Sequence, residues 1–178
     1  MKSHYIESPH ADKIREGTIA CVEALFSATS LVVVKRAFFD TACWLVSERN
    51  GKFNTRYRSQ SSLNANNAIL RHEHVIPRSS LWFVARRSLS PRDALLMCEG
   101  CIVTEDEHRK LHAAEDTYSW DRYAKAGVTV IDMTTGVPLE PEHLLRMGEP
   151  FLKAYRESRL IGDGEAELEI ETGAWPHD

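Results

Sequence analysis

A short apolar run that meets a helix-start motif constrains the fold of this chain most. Residues 101–104 read Cys-Ile-Val-Thr, which is typical of a brief buried strand. Thr104-Glu-Asp-Glu107 overlaps it and matches a capping box, in which the threonine and glutamate side chains each accept a backbone N–H at the start of a helix. The pattern therefore predicts a strand that ends directly in a helix, running from Glu105 to about Ala114.

A cluster of ionisable side chains lies on a strand that we predict for Ala68–Ile76, which Pro77 ends because proline cannot donate to a β-ladder. His72, Glu73 and His74 are consecutive in it. Side chains alternate along a strand, so His72 and His74 share one face and Glu73 points to the other. That alternation breaks where a strand ends, so Glu73 and His74 can still border the same site.

A second cluster, His108-x-x-x-His112, lies within the capped helix. A separation of four residues places both imidazoles on one helix face, where they can offer two nitrogens to one metal ion. Taken alone, such a pair is more often two surface residues than a metal site, and His-Glu-His alone is similarly unspecific. Together the two clusters supply a carboxylate and several imidazoles in strand-then-helix order, which favours a metal site.

Basic residues are concentrated in the middle of the chain. Residues 49–92 hold nine lysines and arginines against one acid, Glu73, although the whole chain has a net charge of -4. Such a segment between neutral and acidic ends is expected of a protein that docks a polyanion on one face. The alternative is that its arginines pair with the acidic last third of the chain. The residues that we predict to contact nucleic acid are Arg56, Arg58, Arg71, Arg78, Arg86 and Arg87.

The length of 178 residues is enough for one compact domain with a real core. No run of about 18 apolar residues occurs, so no membrane span is predicted. The N-terminus lacks the apolar stretch of a secretory signal, and we therefore expect a cytoplasmic protein. The cysteines are expected to be free thiols, because Cys98 and Cys101 could form only half of a structural zinc site.

The pattern of apolar residues divides this domain into an N-terminal helical layer (1–50), a core with the histidine clusters and the basic surface (51–135), and a C-terminal helix with an acidic tail (136–178). Two helices are predicted in the first region, at Asp12–Ser30 and Leu31–Val46, although the start of the second could be strand. Residues 52–67 fit a loop or a pair of strands. Further elements are predicted as helices at Ser79–Arg87, Pro91–Cys98, Ser119–Ala126 and Pro141–Arg159, and as a strand at Val128–Met133.

These motifs resemble those of the HNH, or His-Me finger, endonucleases. The segment Glu73-His74-Val75-Ile76-Pro77 resembles the Asp/His-His-x-x-Pro element that opens the family's motif. Thr104-x-x-x-His108-x-x-x-His112 is similar to the closing helix, especially that of the nuclease colicins. The resemblance covers residues 68–115, about a quarter of the chain. It implies an α+β fold with a ββα-metal core and additional N-terminal and C-terminal helices, in which a β-hairpin delivers the general base and a helix delivers metal ligands.

The resemblance also implies a role for each matching residue. His74 corresponds to the catalytic histidine that activates water, Glu73 to the first metal ligand, and His108 to the helical metal ligand. His112 corresponds to the second helical ligand of the colicin group. His72 has no fixed role in the family, and we expect it to be structural or to support a neighbouring site residue.

One departure from the family's pattern concerns its middle asparagine, which commonly orients the catalytic histidine or contacts the metal. Met97-Cys98-Glu99-Gly100 stands where this asparagine is expected. Either another group takes its place, such as a backbone carbonyl, or the activity is reduced.

The function that the resemblance implies is a metal-dependent hydrolase that cleaves phosphodiester bonds of DNA, in restriction, phage defence or a mobile element. RNA stays an alternative substrate. One divalent ion is expected, and mixed carboxylate and imidazole ligands favour Zn, Mn, Ni or Co over Mg. A homodimer would allow both DNA strands to be cut. The alternatives are a catalytically silent nucleic-acid-binding module with a structural metal site, and a toxin domain.

Overall fold

A mixed β-sheet with the strand order β2-β3-β1-β4-β5 organises the protein. The computed structural model describes residues 5–114 and 117–161. Within them the fold is α+β, with seven α-helices and a five-stranded sheet. The helices are α1 (Ala11–Ala28), α2 (Val32–Ser47), α3 (Arg78–Ala85), α4 (Pro91–Leu96), α5 (Glu105–His112), α6 (Asp121–Lys125) and α7 (Pro141–Leu160). The strands are β1 (Tyr57–Ser59), β2 (Leu70–His74), β3 (Gly100–Thr104), β4 (Val130–Asp132) and β5 (Val137–Pro138).

The pair formed by β2 and β3 positions the histidine clusters. The two strands are antiparallel, and their pairing runs from Leu70 opposite Thr104 to His74 opposite Gly100. On its other side β3 pairs in parallel with β1, which in turn pairs antiparallel with β4. Helices α3 and α4 connect β2 to β3, and α5 begins at the residue after β3.

The predicted capping box is confirmed at the start of α5. The Thr104 hydroxyl accepts the Glu107 N–H at 3.3 Å, and the Glu107 carboxylate accepts the Thr104 N–H at 2.9 Å. The buried Glu107 carboxylate also accepts the Ser59 hydroxyl of β1 at 2.5 Å. This contact ties the first turn of α5 to the centre of the sheet and thereby sets the direction in which the helix leaves it.

Most predicted elements are confirmed, with ends displaced by at most two residues. The two N-terminal helices are α1 and α2, and the start of the second is helix rather than strand. Ser90 caps α4 as its sequence indicates, because its hydroxyl accepts the Asp93 N–H at 3.1 Å. The polar stretch 52–67 contains one short strand, β1, and 3₁₀ turns. The acidic tail that we predict lies outside the described residues, and the division into three regions stays a prediction.

The apolar core lies between the helices and the sheet. Phe39 of α2 packs against Trp82 of α3 with ring centroids 5.6 Å apart, and Phe26 of α1 contacts both rings. The cysteines are free thiols as predicted, and Cys98 and Cys101 are buried. Among the described helices none is both long and apolar enough to cross a membrane.

Gly100 is the position at which the β2–β3 pair tolerates no side chain. A Cβ atom there would lie 2.5 Å from Cε1 and Nε2 of His72, on the neighbouring strand. That ring is buried and held by hydrogen bonds at both nitrogens, so it cannot move aside freely.

We expect Gly100→Ala to lower the free energy of unfolding by about 1–3 kcal/mol through overpacking. Gly17→Ala is the matched control, because nothing lies within 4 Å of the added Cβ on α1. It should raise stability by about 0.5–1 kcal/mol, since alanine favours a helix over glycine. Urea unfolding of both variants measures the difference in free energy of unfolding. An equal change in both would show that the His72 ring moves aside for the added methyl group.

Candidate metal centre

Strand β2 presents its ionisable side chains to two different sides of the sheet. Pairing continues through His74, so the alternation of side chains holds to the end of the strand. Glu73 contacts residues of α5 and α6, whereas His72 and His74 face α2. The structure therefore brings Glu73 together with His108 and His112 and does not bring His74 to the same place.

Glu73, His108 and His112 form a group that could hold a metal ion, with one ligand atom from each and all three within 4.8 Å of one another. His108 Nδ1 donates to Glu73 Oε2 at 2.5 Å, and His112 Nε2 lies 3.8 Å from the same oxygen. Ligand atoms about 2.0–2.1 Å from a tetrahedral zinc ion are roughly 3.3 Å apart. The two distances lie on either side of that value, so the side chains would have to adjust to receive an ion.

The group is open to solvent on the side of its two histidines. Glu73 is buried, with 6% of its side chain exposed, whereas His108 is 27% and His112 62% exposed. Structural zinc sites are closed by four protein ligands, while catalytic zinc sites have three and leave a position for water or substrate. Two imidazoles and one carboxylate with an open side match the second kind.

Hydrogen bonding within the group sets the charge of its members. Burial opposes ionisation of Glu73, but the hydrogen bond from His108 and the charge of Arg122 outweigh it, so the pKa of this carboxyl is lowered. The hydrogen bond to Glu73 raises the pKa of His108. Glu73 is thus an anion ready to bind a cation, and a proton on His108 competes with the metal.

Arg122 of α6 is a site residue that the sequence analysis missed. Its side chain is only 4% exposed, and it donates to Glu73 Oε1, to the His74 carbonyl and to the Val75 carbonyl, the last at 3.1 Å. Because Arg122 occupies Oε1, the other oxygen of Glu73 faces the two histidines. No local sequence pattern identifies Arg122, because it follows the end of α5 by ten positions and lies on a separate short helix.

The side chain of His74 is buried against α2. Its Nε2 lies 3.2 Å from Oγ of Ser47, a second residue that the sequence analysis missed, and its ring meets Trp44 edge-on at 4.4 Å. Burial, followed by the charges of His72 and Arg78, lowers the pKa of His74 to about 3. His74 is therefore neutral, and its assignment as general base stays a prediction.

His72 has the structural surroundings that we expected. Its Nδ1 is 3.0 Å from the Lys52 carbonyl, which can only accept, so the ring carries its proton on Nδ1. Its Nε2 is then free to accept from the Ser47 hydroxyl at 3.1 Å. Ser47 thus links the two histidines on the α2 side of β2.

The segment that replaces the family's middle asparagine acts through its backbone and through one ion pair. The Glu99 carbonyl accepts the Val75 N–H at 3.0 Å, immediately after the end of β2. The Glu99 side chain pairs with Arg49 at 3.1 Å. A backbone carbonyl does stand beside the strand end, although it contacts Val75 rather than His74.

Two of the six predicted nucleic-acid-binding arginines pair with acids of the C-terminal part of the chain, residues 93–178. Arg56 donates to Asp132 at 2.7 Å, and Arg71 lies 2.5 Å from Glu105. Arg58 is buried and donates to the Ser62 carbonyl at 3.2 Å. The contacts of Arg56 and Arg71 agree with the alternative reading of the basic segment, whereas this contact of Arg58 is with a backbone carbonyl.

The other three arginines lie over aromatic rings. Arg78 lies over Trp44 at 5.2 Å, Arg86 over Trp82 at 5.7 Å and Arg87 over Phe83 at 4.1 Å. All three side chains are partly exposed to solvent. Contact with nucleic acid stays a prediction for the whole set.

Comparisons with protein families, with curated proteins and with solved structures found no match to this chain. Its function therefore has to be argued from the site itself.

We expect Arg122→Met to lower the free energy of unfolding by about 3–5 kcal/mol, because it leaves the buried Glu73 carboxylate without its partner. Arg109→Met is the matched control, since Arg109 makes an exposed ion pair with Asp106 on α5. The control should change stability little. Urea unfolding at neutral pH compares the two variants. Similar losses in the free energy of unfolding would show that the buried pair stabilises the protein no more than the exposed one.

Acid should destabilise the protein through His74. The unfolded chain binds protons on this histidine below its ordinary pKa of about 6.5, whereas the folded protein does so only near pH 3. Stability is thus fully present above pH 6.5 and falls toward pH 3, by up to about 1.4 kcal/mol per pH unit. The lowered pKa of His72 acts in the same direction.

Urea unfolding between pH 7 and pH 4 tests this expectation. His74→Gln should reduce the loss of stability on acidification. The control His143→Gln, at an exposed position of α7, should leave it unchanged. An equally steep loss in His74→Gln would remove His74 as the cause.

Proposed function

We propose that this protein is a metal-dependent endonuclease that hydrolyses phosphodiester bonds of DNA. The observation that carries the proposal is the open group of Glu73, His108 and His112, which has the donor composition of a catalytic rather than a structural metal site. The partly exposed arginines over aromatic rings support a polyanionic substrate.

The order of the elements around these donors supports the finer proposal of a ββα-metal core. Glu73 is on β2, the antiparallel β3 follows in the chain after α3 and α4, and α5 leaves β3 with both metal-binding histidines. This is the arrangement that the HNH resemblance implies. The connection between the two strands is longer than a tight hairpin, because it contains two helices.

The chain's own residues would prepare the site for such chemistry. When bound, a divalent ion would supply Lewis acidity to the scissile phosphate and the leaving oxygen. Glu73 holds a negative charge at Oε2 because Arg122 binds its other oxygen, and the neutral forms of His108 and His112 offer ring nitrogens. Zn, Mn, Ni or Co suits this set, and Mg would depend on substrate phosphates to complete its shell.

The surroundings of His74 do not fit the role of general base that the resemblance gives it. The resemblance assigns it to His74, whose Nε2 is bound to Ser47 and whose pKa is about 3. A base works best when its pKa lies near the working pH. This difference favours a second candidate function, a nucleic-acid-binding module in which the metal serves structure and catalysis is lost.

Plasmid cleavage by the purified protein, with EDTA and with each divalent metal in turn, tests the proposal. We expect cleavage only with metal. His112→Ala and Glu73→Gln should weaken metal binding measured by calorimetry by at least about 10–100-fold, the loss typical even of an outer ligand partner. His112 is mostly exposed, so its variant should stay folded. The control is His143→Ala, at an exposed position far along the chain on α7.

His74→Ala tests the role of His74 as general base, and cleavage by the unmodified protein separates the two candidate functions. As the base, its loss should lower cleavage by orders of magnitude while metal affinity survives. Cleavage like that of the unmodified protein would remove His74 from the mechanism but keep the enzyme. DNA binding by the unmodified protein without cleavage in any metal would instead support the silent module. Unchanged metal affinity in both ligand variants would overturn the site itself.

A further inference from the structure

An aromatic cavity lies outside the metal centre, between α3, the segment before α6, and α7. Its volume is about 340 Å³, and its lining residues are Phe83, Tyr118, Tyr155 and Arg159. Tyr118 stacks on Tyr155 with ring centroids 4.5 Å apart and planes 26° apart, and Phe83 lies 5.2 Å from Tyr155. The three rings are each partly exposed to solvent.

Two arginines give this cavity a cationic edge. Arg159 lines it directly, one helical turn beyond Tyr155 on the same face of α7. The guanidinium group of Arg87 lies 4.1 Å from the centroid of Phe83.

Flat aromatic walls beside guanidinium groups fit one class of ligand well. Nucleobases stack on aromatic side chains, and every base offers a π-face whatever the sequence. Guanidinium groups bind phosphate through paired N–H donors. A volume of about 340 Å³ also falls within the range of small-ligand sites.

We propose that this cavity binds an unpaired nucleobase of single-stranded nucleic acid, whose adjoining phosphate meets Arg159. The inference rests on the proposed function for its ligand class, and it names the substrate form as a strand with at least one base out of a duplex. Tyr118 follows His112 by six residues, so the two Cα atoms are at most about 22 Å apart. A strand that reached both sites would therefore have to bridge no more than about this distance.

Binding of a labelled oligothymidine, measured by fluorescence anisotropy in EDTA, tests the proposal without any cleavage. Tyr118→Leu should weaken binding by about 5- to 150-fold, the range reported for loss of one base–aromatic stack. Tyr118→Trp keeps an aromatic face and should restore it. Arg159→Ala should weaken binding and flatten its dependence on salt by about one unit.

The controls match each change elsewhere on the surface. Phe38→Leu removes an exposed ring from α2, and Arg146→Ala removes an exposed arginine from α7 itself. Neither should weaken base-dependent binding. Melting curves of all variants show whether each one is folded, and the Tyr118→Trp variant distinguishes loss of stacking from loss of structure.

An abasic oligonucleotide of the same length and a blunt duplex complete the test. The protein should bind oligothymidine more tightly than either, and Tyr118→Leu should abolish that preference. Equal binding of the abasic strand, or unchanged binding in Tyr118→Leu, would overturn the cavity proposal. Metal-dependent cleavage persisting beside that result would leave the nuclease proposal intact. Base-dependent binding without cleavage would overturn only the nuclease.

Discussion

The buried ion pair between Arg122 and Glu73 is the interaction on which the arrangement of this protein depends. A carboxylate with 6% of its side chain exposed would not stay ionised without a partner, and Arg122 supplies the charge from a helix far along the chain. The same guanidinium group binds the carbonyls of His74 and Val75, where β2 ends and pairing stops. One side chain therefore holds the strand end, satisfies its backbone and determines which carboxylate oxygen faces the histidines of α5.

Adjacent residues of strand β2 thus lie in two different chemical environments on opposite faces of the sheet. On one side Glu73 is an anion at the edge of an open site, while on the other His72 and His74 are neutral rings joined through Ser47. The first side is electrostatically prepared for a cation. The second is a buried polar network in which the single hydroxyl of Ser47 lies within hydrogen-bond distance of Nε2 of both histidines, and it joins α2 to the sheet.

Local signals in the sequence predicted most of the elements, and they identified the three residues that could together hold a metal ion. The capping box at Thr104, the proline that ends β2 and the spacing of His108 and His112 each act within a few residues, so their consequences could be derived directly. The side of the sheet on which His74 lies could not, because it depends on how far pairing with β3 extends. We expected that the side chains could stop alternating between the two faces at His74, but the pairing of β2 with β3 continues to His74 opposite Gly100.

Long-range pairing limited the rest of the prediction. Arg122 meets Glu73 across 49 positions of the chain, and no periodicity marks such a pair. The sequence shows that basic residues are concentrated in the middle of the chain, but it does not show that Arg56 and Arg71 have acidic partners, Asp132 and Glu105.

Contacts between distant parts of the chain also determine when the group at Glu73 can form. Since the group at Glu73 needs α5 and the arginine of α6, it cannot form until β1, β2, β3 and both of these helices have been synthesised. An ion bound there would therefore stabilise elements that are already paired rather than guide the folding of the first of them.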